Sequence, residues 1–273
     1  MHMSVVWLRV AVVLYGASAL AAAAAALREG ARWRKLLPAL LIGGLLFHFV
    51  SLVDLLNAYH HWVPVDLHGL ESLFALILAG LFCWSFYRYN TSALGVFVLP
   101  MVFLLTLSSA LGPDFGSVFA PRLRTGWVLL HIALMLAAYS ALLVSLLSGV
   151  LYLIQEGQLK SKHFAGMLGW LPSLETTNQI SYRMLLFGFP CMTLGLLIGS
   201  LLAEASTGPA YFRDPKVLLS FAMWVFYVFL LWVRRNTGIR GRRALYFSGV
   251  VIVAAFAVWA ANAFSSVHRY VGP

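Results

Sequence analysis

Among the residues of this 273-residue chain that could do chemistry, the eight histidines come first, and their settings differ. His131 and His268 have the clearest chemical logic. Both fall near the same end of long apolar runs, His131 one turn inside and His268 just beyond. Trp127, His131 and Met135 follow at i, i+4 and i+8, which puts them on one stripe of a helix. Two neutral imidazoles facing across an apolar cleft can ligate a haem iron axially. Arg122, Arg124, Arg213, Lys216 and Arg269 fall at that same end, where cations can pair with haem propionates. Structural histidines at helix ends account for the pattern about as well.

The remaining histidines divide by position. His2 is terminal and His163 falls in a polar connection, so both read as solvated. His60, His61 and His68 keep company with Asp54, Asp66 and Glu71. Those are the right elements for a zinc site, but the spacing of a zinc motif is missing, so a hydrated loop is the simpler reading. His48 lies deep in the second apolar run. An ionisable group there must face the bundle interior or a partner. It reads either as a hydrogen-bonded packing residue or as a metal ligand. Cys83 and Cys191 sit in apolar runs outside any C-x-x-C or C-x-x-C-H motif. That argues against a thiol-redox pair and covalent haem attachment to this chain, and favours reading them as buried structural cysteines.

The elements that must position these residues follow from composition. The chain is 62% hydrophobic and only 10% charged, with a mean hydropathy of +0.87. That is the balance of a polytopic membrane protein, an all-α bundle in one domain spanning residues 1–273. Apolar runs near 5–27, 37–56, 69–88, 93–111, 127–154, 184–203, 217–233 and 245–264 predict about eight transmembrane helices. The first is expected to be a retained helix and not a cleaved leader, because its basic cluster Arg28, Arg32, Arg34 and Lys35 follows the apolar core. With both termini outside, thirteen of the nineteen Lys and Arg fall on the inner side with three acids, for a net +10. The outer side is then neutral, as the positive-inside rule asks. The formal charge of +10 is therefore topology and attraction to anionic lipid, with no stretch suited to nucleic acid.

Two further features concern the inner side and the packing. The long inner connection, 156–182, contains Leu171-Pro172-Ser173-Leu174-Glu175, which reads as a helix start with Ser173 as cap. That helix is expected to lie along the membrane and enter it near Tyr182. Gly195 and Gly199 form a small-xxx-small pair, which lets two helices approach closely.

Several ordered motifs together resemble the cytochrome c assembly family, in its CcsA/HemX-like branch. Trp127-x-x-x-His131 with Met135 and Tyr139-Ser140 resembles the family's first outer histidine and its helix. Leu159-Lys160-Ser161-Lys162 and the Leu171–Glu175 stretch resemble its inner loop, and Gly188-Phe189-Pro190 the entry to its next span. Asp214-Pro215-Lys216, Ser220, Trp224, Tyr227, Arg234 and Arg240-Gly241-Arg242-Arg243-Ala244 follow its C-terminal pattern. His268-x-Tyr270-x-Gly272 resembles its second outer histidine, and Glu71-Ser72-Leu73 is a further short match. The resemblance is strongest over 127–273.

That resemblance implies that His131 and His268 are axial ligands to a non-covalent haem b held at the outer face. Trp127, Asp214, Lys216, Arg213 and Arg269 would surround it. Haem would be presented to an apocytochrome c, with a partner membrane protein of the assembly system, in a bacterial inner membrane. Two departures qualify the pattern. Tyr211-Phe212-Arg213-Asp214 stands where the family has aromatic-x-Trp-Asp, with Val217 in place of the acid after the lysine. Trp232 aligns with the intramembrane histidine of many CcsA members, a ligand for which His48 is the available substitute. The alternative from the same branch is a HemX-like accessory or regulatory protein of haem biosynthesis without ligation activity. A transporter is disfavoured, because no inverted repeat and no pair of broken helices is visible. No nucleophile–base arrangement marks the chain as an enzyme by its own residues.

Overall fold

The computed structural model describes residues 3–28, 31–58, 67–112, 126–161, 171–237 and 242–260. Among these the chain forms eight α-helices. In order they are α1 (Met3–Arg28), α2 (Ala31–Ala58), α3 (Leu67–Tyr89), α4 (Gly95–Leu111), α5 (Gly126–Ser161), α6 (Leu174–Thr207), α7 (Pro215–Thr237) and α8 (Arg242–Ala260). A 3₁₀ segment, Gly208–Arg213, joins α6 to α7. Helix is the expected outcome for apolar runs of this length, since hydrocarbon offers no partner for a free backbone N–H or C=O. Six helices are long and apolar enough to cross a membrane, while the apolar stretches Gly95–Leu111 and Tyr246–Val258 are shorter. The chain is thus a multi-pass membrane protein.

Two cores sit side by side. The first gathers Tyr15, Leu37, Leu41, Leu78, Phe82, Leu99 and Val102 from α1–α4, and is closed by Val144, Ile180 and Met184 of α5 and α6. In the second, Ala138, Leu142, Leu185, Met192, Met223, Tyr227, Leu230 and Val251 fill the space among α5–α8. Outward faces such as Leu20, Leu201 and Phe256 stay exposed, as lipid-facing residues do. The α3–α4 connection turns at Asn90, whose φ of 48° is tolerated by asparagine better than by most residues.

Helices α5 and α6 set the geometry of the candidate site. At 36 and 34 residues they run about 50 Å, against roughly 30 Å of hydrocarbon. They pack along each other and extend beyond the bilayer thickness. Ser173 caps α6 as expected, its Oγ accepting from the Thr176 N–H at 3.1 Å. The expected helix along the membrane surface is not present. Leu174–Thr207 is a single helix, because its early polar side chains are used within the bundle. Thr177 Oγ1 donates to Gln155 Oε1 at 3.2 Å. Ser181 Oγ lies 2.9 Å from Ser145 Oγ.

Helix α7 is tied to α6 by polar contacts from its middle to its C-terminal end. Trp224 donates its indole N–H to Thr193 Oγ1 at 3.0 Å, and Tyr227 donates its hydroxyl to the Leu185 carbonyl at 2.8 Å. Arg234, only 6% exposed, donates to Ser181 Oγ and Asn178 Oδ1, each at 3.0 Å.

Candidate functional site

His131 stands in the second turn of α5, half-buried against α6. Its Nδ1 lies 2.7 Å from the Gly195 carbonyl oxygen. A carbonyl only accepts, so Nδ1 carries the ring proton and Nε2 keeps its lone pair. The glycine pair on α6 makes this approach possible. A Cβ at Gly199 would run into the His131 ring, and one at Gly195 would come within 2.9 Å of Met135 Sδ. The stripe of α5 expected from spacing thus seats its histidine and methionine on the two glycines of α6.

The start of α7 closes on the same place. Asp214 is 3% exposed, and its Oδ1 accepts from the Lys216 N–H at 2.9 Å. It is the N-cap of α7, followed by Pro215 at the first helical position. Lys216 lies within electrostatic range of both His131 and Asp214. The 3₁₀ segment before the cap folds Tyr211 inward at 5% exposure and leaves Phe212 outward at 53%. Tyr211 and Phe212 have ring centroids 4.1 Å apart, and Phe212 also stacks on Phe221. Arg213 is exposed beside them, and Trp127 is exposed one turn above His131.

The structure therefore brings together His131, Lys216 and Asp214, with Trp127 and Arg213 on exposed turns at the same end. His268 and Arg269 lie outside the described residues, as do His2, His60, His61 and His163. His48 is elsewhere, in the first core. It is fully buried, with Nε2 2.8 Å from Ser72 Oγ and Nδ1 3.4 Å from the Tyr15 hydroxyl. Both ring nitrogens already have protein partners. His68 pairs with Glu71 across 3.3 Å, and Ser108 donates to the same carboxylate oxygen at 3.0 Å. Among the described residues no group of three or more His, Cys, Asp or Glu could hold a metal ion. Cys83 and Cys191 are free thiols, each only partly buried.

The donor set at His131 fits an axial haem ligand better than a metal cage, because it offers one imidazole nitrogen with cations nearby. Sequence spacing identified His131 but not Gly195 and Gly199 as its seat. The signal was present in the small-xxx-small pair, while the helix facing it was not legible. The capping role of Asp214 was also missed, although Asp-Pro at a helix start is its local signature.

Comparison with known proteins decides the family. The model of the cytochrome C assembly protein family matches residues 67–267, which holds α3 to α8 with His131, Arg213, Asp214 and Lys216, and stops one residue short of His268. The chain belongs to this family. Among relatives, the cytochrome c biogenesis protein CcsA of Guillardia theta is 29% identical over 206 residues, 67% of this chain and 68% of the relative. CcsA of Prochlorococcus marinus (strain MIT 9515) is 34% identical over 193 residues, 61% of each chain. CcsA of Gloeobacter violaceus is 24% identical over 273 residues, 77% of this chain and 78% of the relative. No solved structure matches. As a cytochrome c assembly protein the chain works in cytochrome c biogenesis from within a membrane, and the α1–α2 hairpin precedes the matched region.

Proposed function

We propose that this protein holds a non-covalent b-type haem at the outer end of its bundle and presents it for attachment to an apocytochrome c. The observation that carries the reading is the His131 to Gly195 hydrogen bond, which leaves Nε2 as the acceptor atom. His131 would take one axial position of the iron and His268 the other. Lys216, Arg213 and Arg269 would pair with propionates, and Asp214 would hold Lys216 in place as cap of the helix that carries it. Exposed Trp127 and Phe212 would give the ring a flat apolar bed. When bound, haem supplies the vinyl groups that receive the thiols of the partner's cysteines. The chain's own task is to bind, orient and expose it.

A partner membrane protein of the assembly system and a bacterial cytoplasmic membrane complete the proposal. The CcsA names of the relatives favour this reading over an accessory, HemX-like role. The test is an absorption spectrum of the purified protein in detergent, with and without reductant. A Soret band that shifts on reduction is the expected result. A protein that accumulates normally and takes up no haem, even when haem is added, removes the proposal.

A further inference from the structure

We infer that Gly195 and Gly199 of α6 are positioning residues that lock His131 in its Nδ1–H tautomer and so make Nε2 the ligating atom. The inference rests on the haem reading above for the identity of the ligand, but its geometry stands on the protein alone. The Gly195 carbonyl takes the Nδ1 proton at 2.7 Å. The ring fits there because Gly199 has no side chain to fill its place. A methyl at Gly199 would occupy the volume of the imidazole, and a methyl at Gly195 would press on Met135 Sδ at 2.9 Å. The ring is thus held from one side by a backbone acceptor and from another by the bare backbone of the same helix. Both supports belong to one continuous helix. A carbonyl accepting the distal ring proton also raises the basicity of the ligating nitrogen, and such partners are worth about 10- to 100-fold in metal affinity. The consequence is that α6, which offers no ligand itself, sets how tightly His131 binds.

Two measurements test this. The first is nitrogen-15 resonance of histidine-labelled, haem-free protein in lipid nanodiscs, with the His131 signals assigned by their loss in His131→Gln. A protonated Nδ1 and an unprotonated Nε2 are expected, and the opposite tautomer overturns the inference without any variant having to fold. The second is haem titration of Gly199→Ala, expected to show a loss of about 10- to 100-fold in affinity and a spectrum moved back towards normal by added imidazole. Gly188→Ala is the control. Its Cβ would meet the Tyr227 hydroxyl at 2.6 Å, a crowding on the same helix that does not touch His131. It should leave the haem spectrum unchanged, and a spectral change equal to that of Gly199→Ala would reduce both to general packing and overturn the inference. If His131→Gln loses haem while Gly199→Ala binds as wild type, the inference falls and the haem reading stands. If His131→Gln binds haem as wild type, the haem reading falls and takes the ligating role with it, whatever the tautomer.

Discussion

His48 Nε2 and Ser72 Oγ lie 2.8 Å apart and join α2 to α3 inside the first core. Tyr15 of α1 meets the same imidazole edge-on, with ring centroids 5.7 Å apart. A Cβ at Gly44 would come within 2.7 Å of the Tyr15 ring, so the glycine lets that tyrosine come close. One imidazole therefore connects three helices, and it connects the α1–α2 hairpin to the first helix of the family-matched region. His48→Ala is expected to lower stability by about 1–3 kcal/mol, because Ser72 and Tyr15 lose their buried partner. It should leave the haem spectrum unchanged. Thermal unfolding in detergent reads the first effect, and a spectral shift in well-folded protein would return His48 to the list of ligands.

The C-terminal end of α7 depends on Arg234. Its guanidinium reaches two α6 side chains and lies 5.5 Å from the Tyr182 ring centroid. A lysine has one compact head and cannot reproduce a fork that spans Ser181 and Asn178. Arg234→Lys and Arg234→Ala should both destabilise, by about 1.5–3 kcal/mol for the alanine, with lysine intermediate. Equal stability of all three proteins would show that the fork contributes nothing.

How much of this was legible in the sequence depends on the range of the interaction. The eight apolar runs appear as helices, and the Ser173 cap appears where its local pattern put it. The polar start of α6 looked interfacial because Thr177, Asn178 and Ser181 carry hydrogen-bonding groups on an apolar background. Their partners are Gln155, Arg234 and Ser145, on other helices. Periodicity along one helix cannot show that a polar face is used up by a neighbour. His48 has the same difficulty, since its partners stand 24 and 33 positions away. Around His131 the stripe was legible, but the carbonyl that fixes its tautomer belongs to backbone, which carries no residue signature.

Orientation follows from charge. Reporter fusions after Lys35, Lys160 and Gly241 should report the cytoplasm, and fusions after Asp66, Asp114 and Pro273 the outer compartment. The motive is the net +10 on one side against a neutral other side. An outer signal after Gly241 would invert the last hairpin and separate His268 from His131.

The thiols should be dispensable. Cys83 packs against the first core and Cys191 against the second, so they serve different clusters. Changing both to Ala is expected to leave cytochrome c maturation intact. Loss of maturation at normal protein level would reveal a thiol role.

The paired histidines carry the most weight. If His131 and His268 ligate one iron, His131→Ala and His268→Ala should each remove most of the bound haem, because each breaks one of the two imidazole–iron bonds proposed to hold it. Added imidazole should restore part of it in either variant by occupying the vacated position. His60→Ala, His61→Ala and His163→Ala, whose sequence settings are polar, should leave the spectrum as it is. Protein level must be measured alongside, since a variant that fails to accumulate reports on folding alone. His131→Ala also frees the Gly195 carbonyl, a loss that leaves α6 itself continuous. Imidazole rescue therefore separates the missing ligand from a disturbed helix. Well-folded variants at both positions that keep the wild-type haem content and spectrum would show the two-ligand site to be wrong.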